Sequence, residues 1–345
     1  MSQMFSAGLG LGTRNSKGAW LEVFYPEPEL RPSLPLLEAA REILGYRGGN
    51  VAMDLSTPQL QHLADHLEAA HYTGHNARIA RAFANSTKPA VLTLLEHDEA
   101  PTDVPTAYLK LHLMSHRLVK PHQTNLTGLF GVLPNVAWTN QGAVDPEELP
   151  RRQLQARLEG RPLSVSSVDK FPRMADYVIP RGVRIADTAR VRLGAYLGEG
   201  TTVMHEGFVN FNAGSEGPNM VEGRISAGVF VGAGSDLGGS SSTMGTLSGG
   251  GNMIISVGRE CLLGANSGIG IPLGDRCTVE AGLYITAGTK VGMIDKDGNT
   301  SARIKARELA GQSDLLFRRN SSTGAVECLT NRSAIALNDM LHSNH

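Results

Sequence analysis

Ile179-Pro-Arg-Gly-Val-Arg-Ile185-Ala-Asp-Thr-Ala-Arg-Val191-Arg-Leu-Gly-Ala-Tyr-Leu197-Gly-Glu-Gly-Thr-Thr-Val203-Met-His-Glu-Gly-Phe-Val209 places an aliphatic residue at every sixth position. A helix repeats its apolar residues at three and four, and an ordinary strand at two. Six fits neither; it is the period of a parallel β-helix built from hexapeptides. Four places after each aliphatic residue stands Val183, Ala189, Ala195, Thr201, Gly207 or Ala213, mostly small. Three hexads make one triangular turn. The apolar position of each then points inward and stacks on its equivalent in the next turn, while the corners favour glycine and small residues.

The repeat breaks and returns. The step from Val209 to Ile225 is two hexads plus four further positions. The surplus falls in Gly214 to Gly223, so residues 214–224 are expected to leave the coil as a loop. That loop carries Glu222 beside Gly223 and Arg224. A carboxylate next to an arginine at the point of re-entry suits a base or a nucleophile, or else an ordinary loop ion pair. The frame resumes at Val231 and Leu237 and fades through the Gly/Ser/Thr tract from Gly238 to Asn252. It reappears in phase at Ile255, Cys261, Ser267, Leu273, Val279, Ile285 and Val291. A flexible linker has no reason to keep phase, so the tract reads as one further coil with small inward side chains.

Outward from the repeat, the chain divides into three parts. Residues 1–165 read as an N-terminal mixed α/β domain, 166–292 as the β-helix and 293–345 as a short C-terminal extension. In the first part Trp20 to Tyr25 alternates as a strand does. Ser56 caps a helix running through Leu60, Leu63, Leu67 and Ala70. Ile79 to Phe83, Tyr108 to Leu118 and Arg151 to Leu158 also read as helical, with loops at His97 to Pro105 and Gln141 to Pro150. His62, His66 and His71 fall near one helical stripe, where polar neighbours favour a solvated face over a zinc site. In the last part, Asp295 to Asn299 reads as a hairpin turn and Ala334 to Leu341 as a closing helix.

Composition narrows the function. Thirty-two basic and 33 acidic residues leave a formal charge of −1, so no global field favours nucleic acid or an anionic membrane. Forty glycines suit a chain with many tight corners. No apolar segment is long enough to span a bilayer, and no signal peptide is apparent. Three cysteines without CxxC spacing suggest neither a disulfide framework nor a zinc site, and a cytoplasmic location is expected. Grooves between neighbouring prisms can hold a long ligand such as an acyl-coenzyme A, whose phosphates need cations. Lys290, Arg303, Lys305, Arg307, Arg318 and Arg319 are available for them. His205 is the single histidine between His122 and His342, so one chain cannot build a triad of zinc-binding histidines from its coil.

Several runs are more specific than the hexads: Phe171-Pro-Arg-Met-Ala-Asp-Tyr-Val, Val203-Met-His-Glu-Gly-Phe-Val-Asn-Phe-Asn-Ala-Gly, Met244-Gly-Thr-Leu-Ser-Gly-Gly-Gly, Cys261-Leu-Leu-Gly-Ala-Asn-Ser-Gly and Leu316-Phe-Arg-Arg-Asn-Ser. With Ala107 to Leu118 and Leu133 to Asn140, they make the chain resemble the tetrahydrodipicolinate N-succinyltransferase family, in its longer form, over nearly its whole length. The resemblance implies a left-handed coil. It also implies transfer of succinyl from succinyl-coenzyme A to the amine of ring-opened tetrahydrodipicolinate, giving N-succinyl-2-amino-6-oxopimelate on the diaminopimelate route to lysine. It implies a homotrimer with sites between subunits, and Glu222 as the carboxylate that relays the proton or accepts the acyl group. Contacts to succinyl-coenzyme A are implied at Arg224, Gly239, Ser242, Ala265, Glu280, Ala281 and Gly288, and at Lys305, Arg318, Arg319, Asn320 and Ser321. No cofactor is required beyond this cosubstrate. Magnesium on the trimer axis would use Glu206, but Ala189 stands where the second acidic ligand is expected.

Overall fold

A computed structural model of the chain describes residues 3–71, 74–245, 253–295 and 297–330. These residues form two compact units. One comprises residues up to Val119, Gln123–Pro172 and Asp176–Val178; the other comprises Lys120–His122, Arg173–Ala175 and the chain from Ile179 onward. The segment expected as a closing helix, Ala334 to Leu341, lies outside the described residues.

The first unit is built on an antiparallel sheet with strands β1 (Ser6–Arg14), β2 (Trp20–Phe24), β3 (Glu29–Leu30), β4 (Val51–Leu55) and β5 (Ala90–Leu95). They run in the order β2-β1-β5-β4, with β3 also on β1. Helices α1 (Leu34–Leu44), α2 (Thr57–Ala69) and α3 (Asn76–Ala84) share a core with one face of it. Leu36, Leu60, Leu63, Leu67 and Ala80 pack there with Ala7, Leu9, Leu92 and Leu94. The opposite face is flattened by glycines two apart. A Cβ on Gly8 would lie 2.6 Å from Tyr25 and 2.7 Å from Leu109, so this side of β1 has room only for backbone. Leu109 belongs to α4 (Val104–Ser115), a helix buried along its length.

This helix starts earlier than the apolar run suggested. Asp103 accepts a hydrogen bond from the Thr106 N–H at 2.8 Å, and a proline occupies the first turn. It ends at Ser115 because Arg117 turns left-handed, with φ of 62°. Ser56 caps α2 as expected: its N–H donates to Gln59 Oε1 at 2.9 Å. His62 and His71 are exposed and His66 lies 3.6 Å from Glu42, which accords with a solvated face. A smaller three-stranded sheet (Val136–Thr139, Gly142–Val144, Val165–Asp169) and the helix Leu149–Leu158 complete the unit.

The second unit is a parallel β-helix. Its first side stacks Arg184–Ile185, Thr201–Val203, Asn219–Val221, Asp236–Leu237, Leu262–Leu263 and Thr278–Val279. The second stacks Phe208–Val209, Arg224–Ile225, Ser242–Thr243, Gly268–Gly270 and Tyr284–Thr286. The third stacks Ala195–Leu197, Ala213–Ser215, Phe230–Val231 and Ser256–Val257. Val191, Leu197, Val203, Val209, Val221, Ile225, Val231 and Leu237 fill the interior, each at most 1% exposed. Ile179, the first aliphatic residue of the repeat, does not join them; it is 73% exposed, ahead of the first paired strand.

Two readings of the interruptions are corrected by strand pairing. Residues 214–224 do not form a loop. Ala213 pairs with Ala195 and Val221 with Val203, each a full turn of three hexads on, so the chain stays in the coil. The next contact, Ile225 with Val209, falls two positions short of three hexads. One corner, Glu222-Gly223, is therefore shortened by two, and nothing is inserted. The Gly-rich tract is not a further coil either. Val231 pairs with Val257, Leu237 with Leu263 and Thr243 with Ile269, each step being three hexads plus eight. The surplus of that turn lies between Thr243 and Val257, part of it outside the described residues.

The C-terminal segment returns to the coil. Leu315–Arg319 adds to the first side, with Phe317 beside Val279. Val326–Thr330 runs antiparallel to it and parallel to Lys290–Ile294, whose other edge pairs with Thr300–Lys305. What reads in sequence as an appended extension thus forms the coil's last rung.

Candidate active site

The corner between the first and second sides repeats in every turn. Along the prism it passes through residues 186–190, 204–207, 222–223, 238–241, 264–267 and 280–283, as the pairing on either side requires. Direct bonds knit this column. Ser240 N–H donates to the Glu222 carbonyl at 3.3 Å, Asn266 N–H to Gly239 at 2.9 Å and Gly282 N–H to Ala265 at 2.8 Å. At the far end Glu280 accepts from the Arg319 N–H at 2.5 Å.

Residues widely separated in sequence thus meet on one edge. Glu206, Glu222, Gly239, Ala265, Glu280, Ala281 and Arg319 follow one another down the column. Arg224 and Ser242 stand side by side on the adjoining second side, with Arg224 Nε 3.3 Å from Ser242 Oγ. Gly288 and Lys305 lie across that side, at the next corner, where Ala306 N–H donates to Thr289. All of these residues border a single face of the prism. Arg318 is engaged differently: it pairs with Glu327 at 3.0 Å, and Asn320 donates to the same carboxylate at 2.8 Å. Those hydrogen bonds, Asn320 foremost, hold the Glu327 carboxyl below its ordinary pKa. The sequence reading did not single out Glu327. Its partners lie a short way back across a hairpin, a spacing with no signature of its own.

An open pocket of about 550 Å³ lies at the upper part of the column, lined by Arg190, Glu206, Phe208, Arg224, Ser240 and Ser241. Glu222 sits in the turn between those that carry Glu206 and Ser240. A Cβ on Gly239 would lie 3.4 Å from Glu206 Oε2 and 3.7 Å from Glu222 Oε2, so both carboxylates reach the same glycine. Ser240 Oγ donates to Glu206 Oε2 at 3.0 Å. The Glu222 carboxylate has no protein partner among the described residues. The N–H groups of Gly239, Ala265 and Ala281, one per turn, also have no acceptor among them. Free amides at this spacing suit a ligand that lies along the edge with carbonyl groups of its own.

The shortened corner is tight. A Cβ on Gly223 would come within 2.0 Å of Ser241 Oγ and 2.7 Å of the Ser241 carbonyl. Only glycine lets the chain turn so sharply here, which fixes where Glu222 leaves the coil. Among the described residues no three His, Cys, Asp or Glu side chains group as a metal set. Glu206 brings one carboxylate to a pocket that also holds two arginines, and Ala189 adds no ligand. This donor set does not fit a magnesium ion from one chain.

Comparison with known proteins gives one answer. Residues 133–173 match the family model described as the middle part of tetrahydrodipicolinate N-succinyltransferase, and residues 254–287 match that of the hexapeptide repeat of succinyl-transferase. The chain is 64% identical to 2,3,4,5-tetrahydropyridine-2,6-dicarboxylate N-succinyltransferase of Pseudomonas paraeruginosa, with 100% of each chain covered. The protein of the same name from Vibrio cholerae is 59% identical, with 99% of each covered. A crystal structure from Campylobacter jejuni, described as a putative 2,3,4,5-tetrahydropyridine-2-carboxylate N-succinyltransferase, matches with a TM-score of 0.88 at 33% identity. It covers 97% of this chain and 94% of that one.

Proposed function

The chain belongs to the tetrahydrodipicolinate N-succinyltransferase family, and from that premise we propose how its coil carries out the transfer. It is an acyltransferase of the succinylase route to diaminopimelate and lysine. Succinyl-coenzyme A lies along the face bordered by Gly239, Ala265, Ala281 and Gly288. Its amide groups meet the free N–H donors of the corner column, and Lys305, Arg319, Asn320 and Ser321 meet its phosphate end. The coil is left-handed, as in other hexapeptide proteins. A homotrimer in the cytoplasm supplies the second wall of each groove.

The observation that carries this reading is the unpartnered carboxylate of Glu222, set beside the free N–H of Gly239. The acceptor amine attacks the thioester carbonyl carbon. As the C–N bond forms, Glu222 takes the amine proton, which a carboxylate in hydrogen-bond reach can do at neutral pH. Negative charge gathers on the former carbonyl oxygen, where the Gly239 N–H is placed to donate. The C–S bond then breaks, and the proton taken up by Glu222 passes to the leaving sulfur, so that coenzyme A departs as a thiol and Glu222 returns to its carboxylate. Arg224, steadied by Ser242, offers a guanidinium to the distal succinyl carboxylate, which an acetyl donor lacks. Holding amine and thioester together on a rigid prism removes much of the entropic cost of their encounter.

The test is donor choice. Purified protein is mixed with succinyl- or acetyl-coenzyme A and an open-chain 2-amino dicarboxylate, and free thiol is followed. Faster release from the succinyl donor is expected; release from the acetyl donor alone would reject the assignment.

A further inference from the structure

Of the two arginines that line the pocket, Arg224 serves the donor and Arg190 has no part in the transfer step. It closes a short 3-10 turn, Thr188–Arg190, capped by Asp187, whose carboxylate accepts from the Ala189 N–H at 2.9 Å. Its Nε donates to the His205 carbonyl at 3.0 Å, which ties the side chain to the turn below. The two terminal nitrogens have no partner among the described residues, and no acidic side chain among them pairs with this guanidinium. A half-buried arginine anchored through Nε, with its fork directed at a pocket, is set up to receive a carboxylate from a ligand.

Position along the column says which carboxylate. Donor contacts run from Glu222 toward the C-terminal end of the coil, through Gly239, Ala265, Ala281 and Arg319. Arg190 lies the other way. Its corner stacks above that of Glu206, which stacks above that of Glu222. With roughly 4.8 Å between successive turns, it is about 10 Å from the Glu222 level, on the side away from coenzyme A. An open-chain dicarboxylate with its amine at Glu222 spans a comparable length.

We propose that Arg190 is a specificity-determining residue that binds a carboxylate of the acceptor, the one farther from the reacting amine. The inference rests on the succinyltransferase reading and extends it to the other substrate. Arg224 and Arg190 then divide the work: one holds the acyl group's carboxylate, and the other orients the amine by its far end. An acceptor lacking that carboxylate leaves Arg190 unpaired and is bound weakly.

The test is steady-state kinetics of the full-length protein, wild type against Arg190→Lys and Arg190→Met, with succinyl-coenzyme A and the 2-amino dicarboxylate varied in turn. Each is repeated with an acceptor whose far carboxylate is a neutral amide. Loss of a charge-assisted hydrogen bond should raise the acceptor KM by roughly ten- to a hundredfold in Arg190→Met, with partial recovery in Arg190→Lys. The KM for the donor should stay within about twofold, and the amide acceptor should show almost no further loss in the variant. An unchanged acceptor KM, an equal loss with the amide acceptor, or a rise in donor KM instead would each overturn the assignment. Wild-type turnover in the same assay is the control on the parent reading. Active wild type with an indifferent variant rejects Arg190 alone, while inactive wild type rejects the succinyltransferase assignment itself.

Discussion

Glu206 and Glu222, one turn of the coil apart, reach the same point: a Cβ on Gly239 would stand 3.4 Å from one carboxylate and 3.7 Å from the other. They do so because Val203 and Val221 stack in one register while the corner that follows is shortened by two. Without that shortening Glu222 would leave the coil from a longer corner.

Substitution at the two neighbouring glycines separates geometry from chemistry. Gly223→Ala drives a methyl into Ser241 and should destabilise the coil by about 1–3 kcal/mol while displacing Glu222. Gly239→Ala meets only the flexible ends of the two carboxylates, so thermal midpoint should barely move, within about 0.5 kcal/mol. Turnover should nonetheless fall, because the methyl occupies the space where the thioester carbonyl is held. Equal losses of stability in the two variants would contradict this account of the corner.

His112 makes the first unit sensitive to acid. It is fully buried, its Nδ1–H donates to the Tyr108 carbonyl at 2.8 Å, and its Nε2 accepts from the Tyr25 N–H at 3.3 Å. Both bonds use the neutral ring, and burial pushes its pKa down to about 3. The unfolded chain binds this proton near pH ~6.5. Stability is therefore complete above that pH and falls by up to about 1.4 kcal/mol per unit as pH drops toward 3. Urea midpoints measured between these limits should follow that slope, and His112→Gln should lower the proton uptake on unfolding by about one. An unaltered slope in the variant would remove His112 as the cause.

The thiols should be silent in the folded protein. Cys261, Cys277 and Cys328 are free and buried. Burial pushes Cys328 up to about 12. Hydrogen bonding with the Cys277 side chain, together with burial, keeps Cys261 protonated. A chromogenic disulfide reagent should detect almost no thiol before denaturation and three equivalents after it. Rapid labelling of native protein would show the coil interior to be open.

The hexad period was legible because every sixth residue from Val191 to Val209 is aliphatic and buried, and that identified the coil. Its interruptions were not, for a reason internal to the repeat. A period of six fixes phase only modulo six, so four positions added and two removed look alike in sequence. Strand pairing decides between them, and it decides for the short corner at Glu222-Gly223. The Gly-rich tract concealed itself in the same way. Eight positions are inserted after Thr243, and two are lost between Ile269 and Leu273, where the step from Val257 to Leu273 again falls two short of three hexads. The two shifts sum to one hexad, so the frame seemed unbroken. Ile255, Cys261 and Ser267, which seemed to carry it, fill the secondary inward position two places before Val257, Leu263 and Ile269. Glu222 was singled out in sequence by its neighbours Gly223 and Arg224. The alignment of Gly239, Ala265 and Ala281 on one edge was not visible, because it depends on which of three corners each hexad reaches.

Turnover of Glu222→Gln, measured as thiol release from succinyl-coenzyme A at saturating acceptor, tests the central claim most directly. Glu222 makes no side-chain bond to the described residues, so the thermal midpoint should match wild type, while kcat should fall by roughly a hundred- to ten-thousandfold. A folded variant that keeps near-normal kcat would contradict the role assigned to this carboxylate.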